Sequence, residues 1–180
     1  MNRLRRLLNR LFRRKHKEVE KAEEPVVRQV ANEVFLPHVI AMLHEGHTGT
    51  IPLRGRSMRP FLEDGRDKAL LALCTEVNEG DAVLAEIRPG HYVLHRIVSI
   101  RGNQVTLRGD GNLGDEHCTL ADIKAKAIGF YRKGRSTLDS TSDRKWRLYS
   151  WLWTRLYPVR RYLLFLLHPH VPGRIKKVKR

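Results

Sequence analysis

The sequence predicts a mainly β, α+β fold: a small β-barrel or coiled sheet with flanking amphipathic helices. Two observations carry that expectation. Between Thr50 and Arg132 short apolar stretches are cut by closely spaced turn signals, at Asp64-Gly65, Glu79-Gly80, Pro89-Gly90 and Arg101-Gly102-Asn103. On either side of this region the apolar residues recur at helical spacing instead. A length of 180 residues with 41% hydrophobic content leaves room for one ordinary domain and some additional segments.

Residues 1–17 place Leu4, Leu7, Leu8, Leu11 and Phe12 on one helical face among arginines and lysines, which predicts a basic amphipathic helix. An acidic linker follows and ends at Pro25. Val30, Val34, Val39 and Leu43 then recur with helical spacing, with Pro37 expected to open the main turn and Gly46 and Gly49 to bound the end. Strands are expected at 49–54, 68–74, 81–87, 91–101, 104–109 and 123–132, with 90–109 as one hairpin turning at Gly102-Asn103. Residues 133–145 read as a polar linker. From Trp146 the chain is aromatic and basic: Tyr149, Leu152, Trp153, Leu156 and Tyr157 share a helical face, and Pro158 divides this helix from a second at 159–167. The organisation expected is therefore 1–25, a basic segment with its linker; 26–132, a β domain with a leading helix; and 133–180, a linker and an amphipathic C-terminal segment.

Charge is distributed unevenly. The first 17 residues carry eight basic side chains and no acidic one, and eleven basic and no acidic side chains follow Asp143. The stretch between them keeps sixteen basic against all nineteen acidic residues, a net charge of −3 within a chain of net charge +16. Such a split points to ends that contact an anionic surface. No apolar run approaches the roughly 20 residues of a membrane-spanning helix, and no secretory signal is visible. The expectation is a cytoplasmic chain that reaches the inner membrane face peripherally, by its basic ends. The core offers no recognised nucleic-acid motif, which argues against nucleic acid as the partner. Cys74 and Cys118 match neither a metal motif nor a disulfide framework. His38, His44 and His47 lie close together without Cys or carboxylate partners at ligand spacing, so no metal and no cofactor is expected.

Three places in the middle region carry candidate chemistry. A serine hydroxyl becomes a nucleophile when a base takes its proton, a histidine suits that task near neutral pH, and a carboxylate fixes the histidine's tautomer. The chain offers these in the order Ser57, His95 and the acidic turn with Asp110 and Asp115. Each has an ordinary reading on its own. A serine in a turn is usually inert, and a histidine on the apolar face with Val93 and Ile97 is usually a satisfied core residue. Asp110-Gly111-Asn112 alone is a turn signal.

Taken together they resemble a known family. Gly55-x-Ser57-Met58-x-Pro60, followed by Phe61-Leu62 and Asp64-Gly65, resembles the nucleophile box of the signal peptidase I and LexA-like serine protease superfamily. Glu79-Gly80-Asp81-Ala82-Val83-Leu84 is similar to its next strand, and Tyr92-Val93-Leu94-His95-Arg96-Ile97-Val98 to its general-base strand in the branch that uses histidine, the archaeal and endoplasmic-reticulum type. Arg108-Gly109-Asp110-Gly111-Asn112 resembles that branch's acidic turn. The likeness covers about 50–132.

It implies a coiled β-barrel of the LexA and signal peptidase type and a Ser-His(-Asp) endopeptidase. Ser57 would be the nucleophile and its backbone N–H the oxyanion donor, His95 the base, and the peptide substrate an added extended strand. The later Asp comes one residue early here, with Glu116 beside it, so the acidic partner of His95 is open among Asp115, Asp110 and Glu116; Asp115 is favoured. The alternative is a non-catalytic module that binds peptide strands and is held on membrane or acidic partners by its basic ends.

Overall fold

The computed structural model describes residues 32–135 and 137–167. The expected N-terminal amphipathic helix, the acidic linker and the basic tail from Arg174 lie outside the described residues. The protein is α+β. Eight strands form one antiparallel sheet: β1 (Gly49–Pro52), β2 (Lys68–Ala72), β3 (Ala82–Arg88), β4 (His91–Arg101), β5 (Gln104–Arg108), β6 (Glu116–Thr119), β7 (Ile123–Tyr131) and β8 (Asp139–Ser140). Three α-helices accompany it: α1 (Asn32–His44), α2 (Arg144–Arg155) and α3 (Tyr157–Leu167).

The strand order is β1-β2-β7-β3-β4-β5-β6, with β8 paired to β7. Bulges between Leu70 and Leu71, Glu86 and Arg88, and Ile97 and Ser99 add twist, and the sheet curls until β6 meets β3. Its edges are β1 and β6, four residues each, and no pairing joins them. The sheet is therefore open: of the small β-barrel or coiled sheet expected from turn spacing, the described residues form a coiled open sheet and show no closed barrel.

β3 explains how the core is split. Its run Ala82-Val83-Leu84-Ala85 is buried on both faces, as a continuous apolar strand should be. Ala82 and Leu84 join one cluster with Leu36, Leu43, Met58 and Phe130, while Val83 and Ala85 join a second with Ile97, Val105 and Leu107. In β4, Tyr92 and Leu94 pack on the first cluster and Val93 and Ile97 on the second, as the alternation predicts.

α1 buries Leu36, Val39 and Leu43, and a Cβ on Gly49 would stand 2.7 Å from Val39 Cγ1, so the absence of a side chain there lets the helix sit on β1. Pro37 lies inside α1 and does not open it. Its missing N–H removes the bond that the Glu33 carbonyl would otherwise receive from it, at an exposed position, a loss that the buried side of the helix outweighs.

Two strands carry no sequence signal. Glu116-His117-Cys118-Thr119 lacks apolar alternation and is a strand because β5 pairs with it, Gln104 to Thr119 and Leu107 to Glu116. β8 falls inside the expected 133–145 linker and is only two residues long. The aromatic C-terminal helix packs on the β domain through Trp146, whose ring centroid is 4.8 Å from that of Phe130, and Tyr149, 3.8 Å from that of Phe61. Trp153 is buried with them, whereas Leu152 points outward.

Candidate active site

The Ser57 segment is a turn built against the sheet. Gly55 N–H donates to Asp64 Oδ1 (3.1 Å), Leu62 N–H to the Met58 carbonyl (3.1 Å) and Arg132 Nη2 to the Phe61 carbonyl (2.7 Å). Asp67 anchors the end of this loop, accepting from Arg66 Nη2 (2.6 Å) and from the Glu63 and Lys133 amides. Burial pushes its carboxyl up, but Arg66 and the two amides outweigh burial and hold it below the ordinary carboxylate range. Among the described residues, neither Ser57 Oγ nor Ser57 N–H has a hydrogen-bond partner. The serine borders a cleft of about 80 Å³ lined by Ile51, Leu53, Met58, Leu62, Leu84 and Leu94.

The acidic turn is pressed against this segment. Gly111 N–H donates to the Ser57 carbonyl at 2.7 Å. A Cβ on Gly109 would lie 2.4 Å from that carbonyl oxygen and 2.9 Å from Ser57 Cβ. The β4–β5 register ends at the Arg96–Arg108 pair, so His95 and Gly109 each lie next to a residue of that last pair. Ser57 is thus seated at the end of the strand pair whose β4 member carries His95, and its cleft is lined by Leu94, the residue next to the histidine. No hydrogen bond joins Ser57 to His95 among the described residues, and His95 does not line the cleft.

His95 is buried, and its Nδ1 lies 2.6 Å from Glu116 Oε2. An ionised carboxylate only accepts, so Nδ1 carries the proton and Nε2 keeps its lone pair. Burial pulls the imidazole pKa below its ordinary 6.5, and the nearby Glu116 charge opposes that pull without overcoming it. A neutral histidine with a fixed tautomer is equipped to take a proton at neutral pH.

The carboxylate on His95 is therefore Glu116 and not the favoured Asp115. Asp115 pairs with Arg108, through Arg108 Nε and through Nη2 at 2.7 Å, and this contact holds its carboxyl low. The reason is alternation: Glu116 faces the way Leu107 and Ile97 do, which is the His95 face, while Asp115 belongs to the turn and meets Arg108.

Asp110 is also engaged elsewhere. Its carboxylate takes a bidentate contact from Arg96, Nε to Oδ1 (2.9 Å) and Nη2 to Oδ2 (2.8 Å), and a third bond from the Tyr149 hydroxyl (3.1 Å). Arg96 Nη1 also donates to the Gly80 carbonyl (2.7 Å) and to Ser150 Oγ (2.6 Å). Arg96 and Asp110 are almost fully buried. This pair fixes the turn that holds Ser57. Burial and the Asp110 charge push the Tyr149 hydroxyl pKa far up, so it remains a donor.

Sequence reasoning named Ser57, His95, Asp110 and Asp115 and left Glu116 open, but it missed Arg96, Tyr149, Ser150 and Trp153. A charged residue beside the histidine in an otherwise apolar strand was the available signal for Arg96. For Tyr149 and Trp153 the signal was their shared helical face, but their partners lie 39 and 43 residues away, and no local pattern tells which surface that face meets. Among the described residues no cluster of His, Cys, Asp and Glu could hold a metal ion. Comparison with protein-family models gives no match, and none of the curated proteins matches the sequence significantly.

Proposed function

We propose that this chain is a serine endopeptidase related to the histidine-base signal peptidases, with the coiled β architecture of that superfamily and a Ser57–His95–Glu116 site. Its substrates are extended peptide or leader segments met at the cytoplasmic face of an anionic membrane. The observations that carry this reading are the seating of Ser57 against Gly109, at the end of the strand pair that carries His95, and the buried neutral His95 whose Nδ1–H is held by Glu116. In the reaction, Ser57 Oγ attacks the scissile carbonyl carbon as His95 Nε2 takes its proton. The Ser57 N–H faces the oxyanion, and the imidazolium then protonates the leaving amine; water reverses the sequence to release the acyl group. The edge strand β1 borders the cleft through Ile51 and Pro52, which suits an added peptide strand, and a space of about 80 Å³ suits a small apolar side chain. Among the described residues no helix is long and apolar enough to cross a membrane; the reading takes the basic ends as a peripheral attachment.

The test is a serine-directed fluorophosphonate. Labelling at Ser57 above pH 7, lost in Ser57→Ala and in His95→Ala with the fold intact, is the expected result. A second reading, a peptide-binding module without catalysis, is favoured by the missing Ser57–His95 hydrogen bond, although such bonds often tighten only with substrate. Strand-like peptide binding by a protein that never labels at Ser57 would select it.

A further inference from the structure

The C-terminal helices have two faces with different tasks. The inner face of α2 grips the acidic turn: Trp153 Nε1 donates to the Asp110 carbonyl (2.9 Å), the Tyr149 hydroxyl to Asp110 Oδ2 (3.1 Å), and Ser150 Oγ accepts from Arg96 (2.6 Å). At the start of α3 the Tyr157 hydroxyl donates to the Leu113 carbonyl (3.0 Å), and the Arg108 guanidinium lies 3.7 Å from the Tyr157 ring centroid. The same turn holds the Ser57 carbonyl through Gly111 N–H. The outer face is apolar and in water. Leu148, Trp151 and Leu152 follow i, i+3, i+4 spacing on α2, and Tyr162, Phe165 and Leu166 repeat it on α3, Phe165 being 70% and Leu166 77% exposed.

What covers this face follows from charge. Lys145, Arg147, Arg155 and Arg161 are exposed on the same two helices, and no acidic side chain follows Asp143. A second copy would bring like charge to like charge. So would residues 1–17, with eight basic and no acidic side chains. An occupant must offer negative charge at its surface and an apolar layer just beneath, as acidic lipid headgroups over acyl chains do. A tryptophan with an arginine beside it, Arg155 at 5.1 Å from the Trp151 ring centroid, suits the depth where the two layers meet.

We propose that α2 and α3 form a lipid-docking surface, and that seating it on an anionic bilayer steadies the Gly109–Asp115 turn and thereby Ser57, so that the site is switched on by the membrane. This rests on the peptidase reading only for its last step; the docking and the steadying of the turn do not depend on it. Docking fixes the outer face, the inner face is bonded to Asp110 and Leu113, and the turn they belong to carries the Ser57 carbonyl.

The test uses the full chain with vesicles of phosphatidylglycerol and phosphatidylcholine against phosphatidylcholine alone. Sedimentation, amide exchange at Gly111 and fluorophosphonate labelling of Ser57 are read together. The expected result is binding to the anionic vesicles alone, weakened by salt, with slower Gly111 exchange and faster labelling on binding. The double variant Phe165→Ser/Leu166→Ser, with both sites far out in solvent, should lower vesicle affinity about ten-fold or more and remove both responses while leaving labelling in solution unchanged. Equal binding to neutral vesicles, indifference to the double variant, or binding without a change at Gly111 overturns the proposal. So does tighter binding to a duplex oligonucleotide that the double variant does not affect. Absent labelling under all conditions, with vesicle binding and Gly111 protection intact, removes the peptidase reading and leaves the docking standing.

Discussion

Glu116 Oε2 lies 2.6 Å from His95 Nδ1, on a strand that pairs Glu116 with Leu107 and so aims it at the histidine face. The preceding residue, Asp115, is turned to Arg108. In a hydrolase of the proposed type, only Glu116 can set the histidine tautomer. Glu116→Gln should lower the rate of Ser57 labelling and of peptide cleavage by roughly 10²–10⁴-fold, because an amide can face Nδ1 with either end and does not stabilise the imidazolium. Asp115→Asn should leave the rate within a few-fold. The reverse ranking would return the orienting role to the turn.

The pH dependence has a definite sign. Burial lowers the His95 pKa below 6.5, so the folded protein favours the neutral ring. Its contribution to stability is present above 6.5 and is lost as pH falls through the lower folded value. Activity needs the same neutral ring, so the acid limb of kcat/KM should lie below 6.5. Glu116 works against burial, so Glu116→Gln should move the limb still lower while reducing the plateau. Labelling rates across pH 4 to 8, roughly the range around an ordinary histidine pKa, decide it; a limb above 6.5 would mean that the charge of Glu116 dominates burial.

The reach of the sequence differs between these residues. Alternation along 92–98 is visible because each residue's face is a local property, and the structure keeps it, with Leu94 and Val93 on opposite clusters. The partner of His95 is not local. It depends on how β6 registers on β5, and β6 has no apolar pattern of its own, so Asp115 and Glu116 could not be separated before the pairing was known. The inward role of Tyr149 and Trp153 was hidden for a related reason. Their helical face was legible, but whether it meets lipid or protein is decided by Phe61 and Asp110, far away in the chain.

Arg96 and Asp110 should behave as a structural pair. Both are buried, so replacing one leaves the other charge without its counter-ion. Arg96→Met should cost about 3–5 kcal/mol of stability in a denaturant titration. Asp110→Asn keeps the shape and can still accept one bond, so its cost should be smaller, though still well above that of a surface change. The double variant Arg96→Met/Asp110→Leu should recover part of the loss, since no charge is then stranded. If Asp110 instead acted directly on the chemistry, Asp110→Asn would abolish labelling of protein that remains fully folded.

Gly109 gives the most direct test of how Ser57 is seated and of its proposed pairing with His95. The position needs no unusual backbone angle; what it needs is empty space. A methyl group there would lie 2.4 Å from the Ser57 carbonyl oxygen and 2.9 Å from Ser57 Cβ, and the first of these is backbone that cannot swing aside. Gly109→Ala must therefore push the Ser57 turn off the sheet, stretch the Gly111 N–H to Ser57 bond and carry the hydroxyl away from the histidine strand. The expected result is a loss of Ser57 labelling of about 100-fold or more, the order of effect that a misplacement near 1 Å produces. Gly114→Ala is the control in the same turn, because nothing lies within 4 Å of a Cβ at that position. It should label at the rate of the unaltered chain. Equal labelling by all three proteins would mean that Ser57 does not depend on its seat above Gly109, and the proposed pairing with His95 would lose its geometric basis.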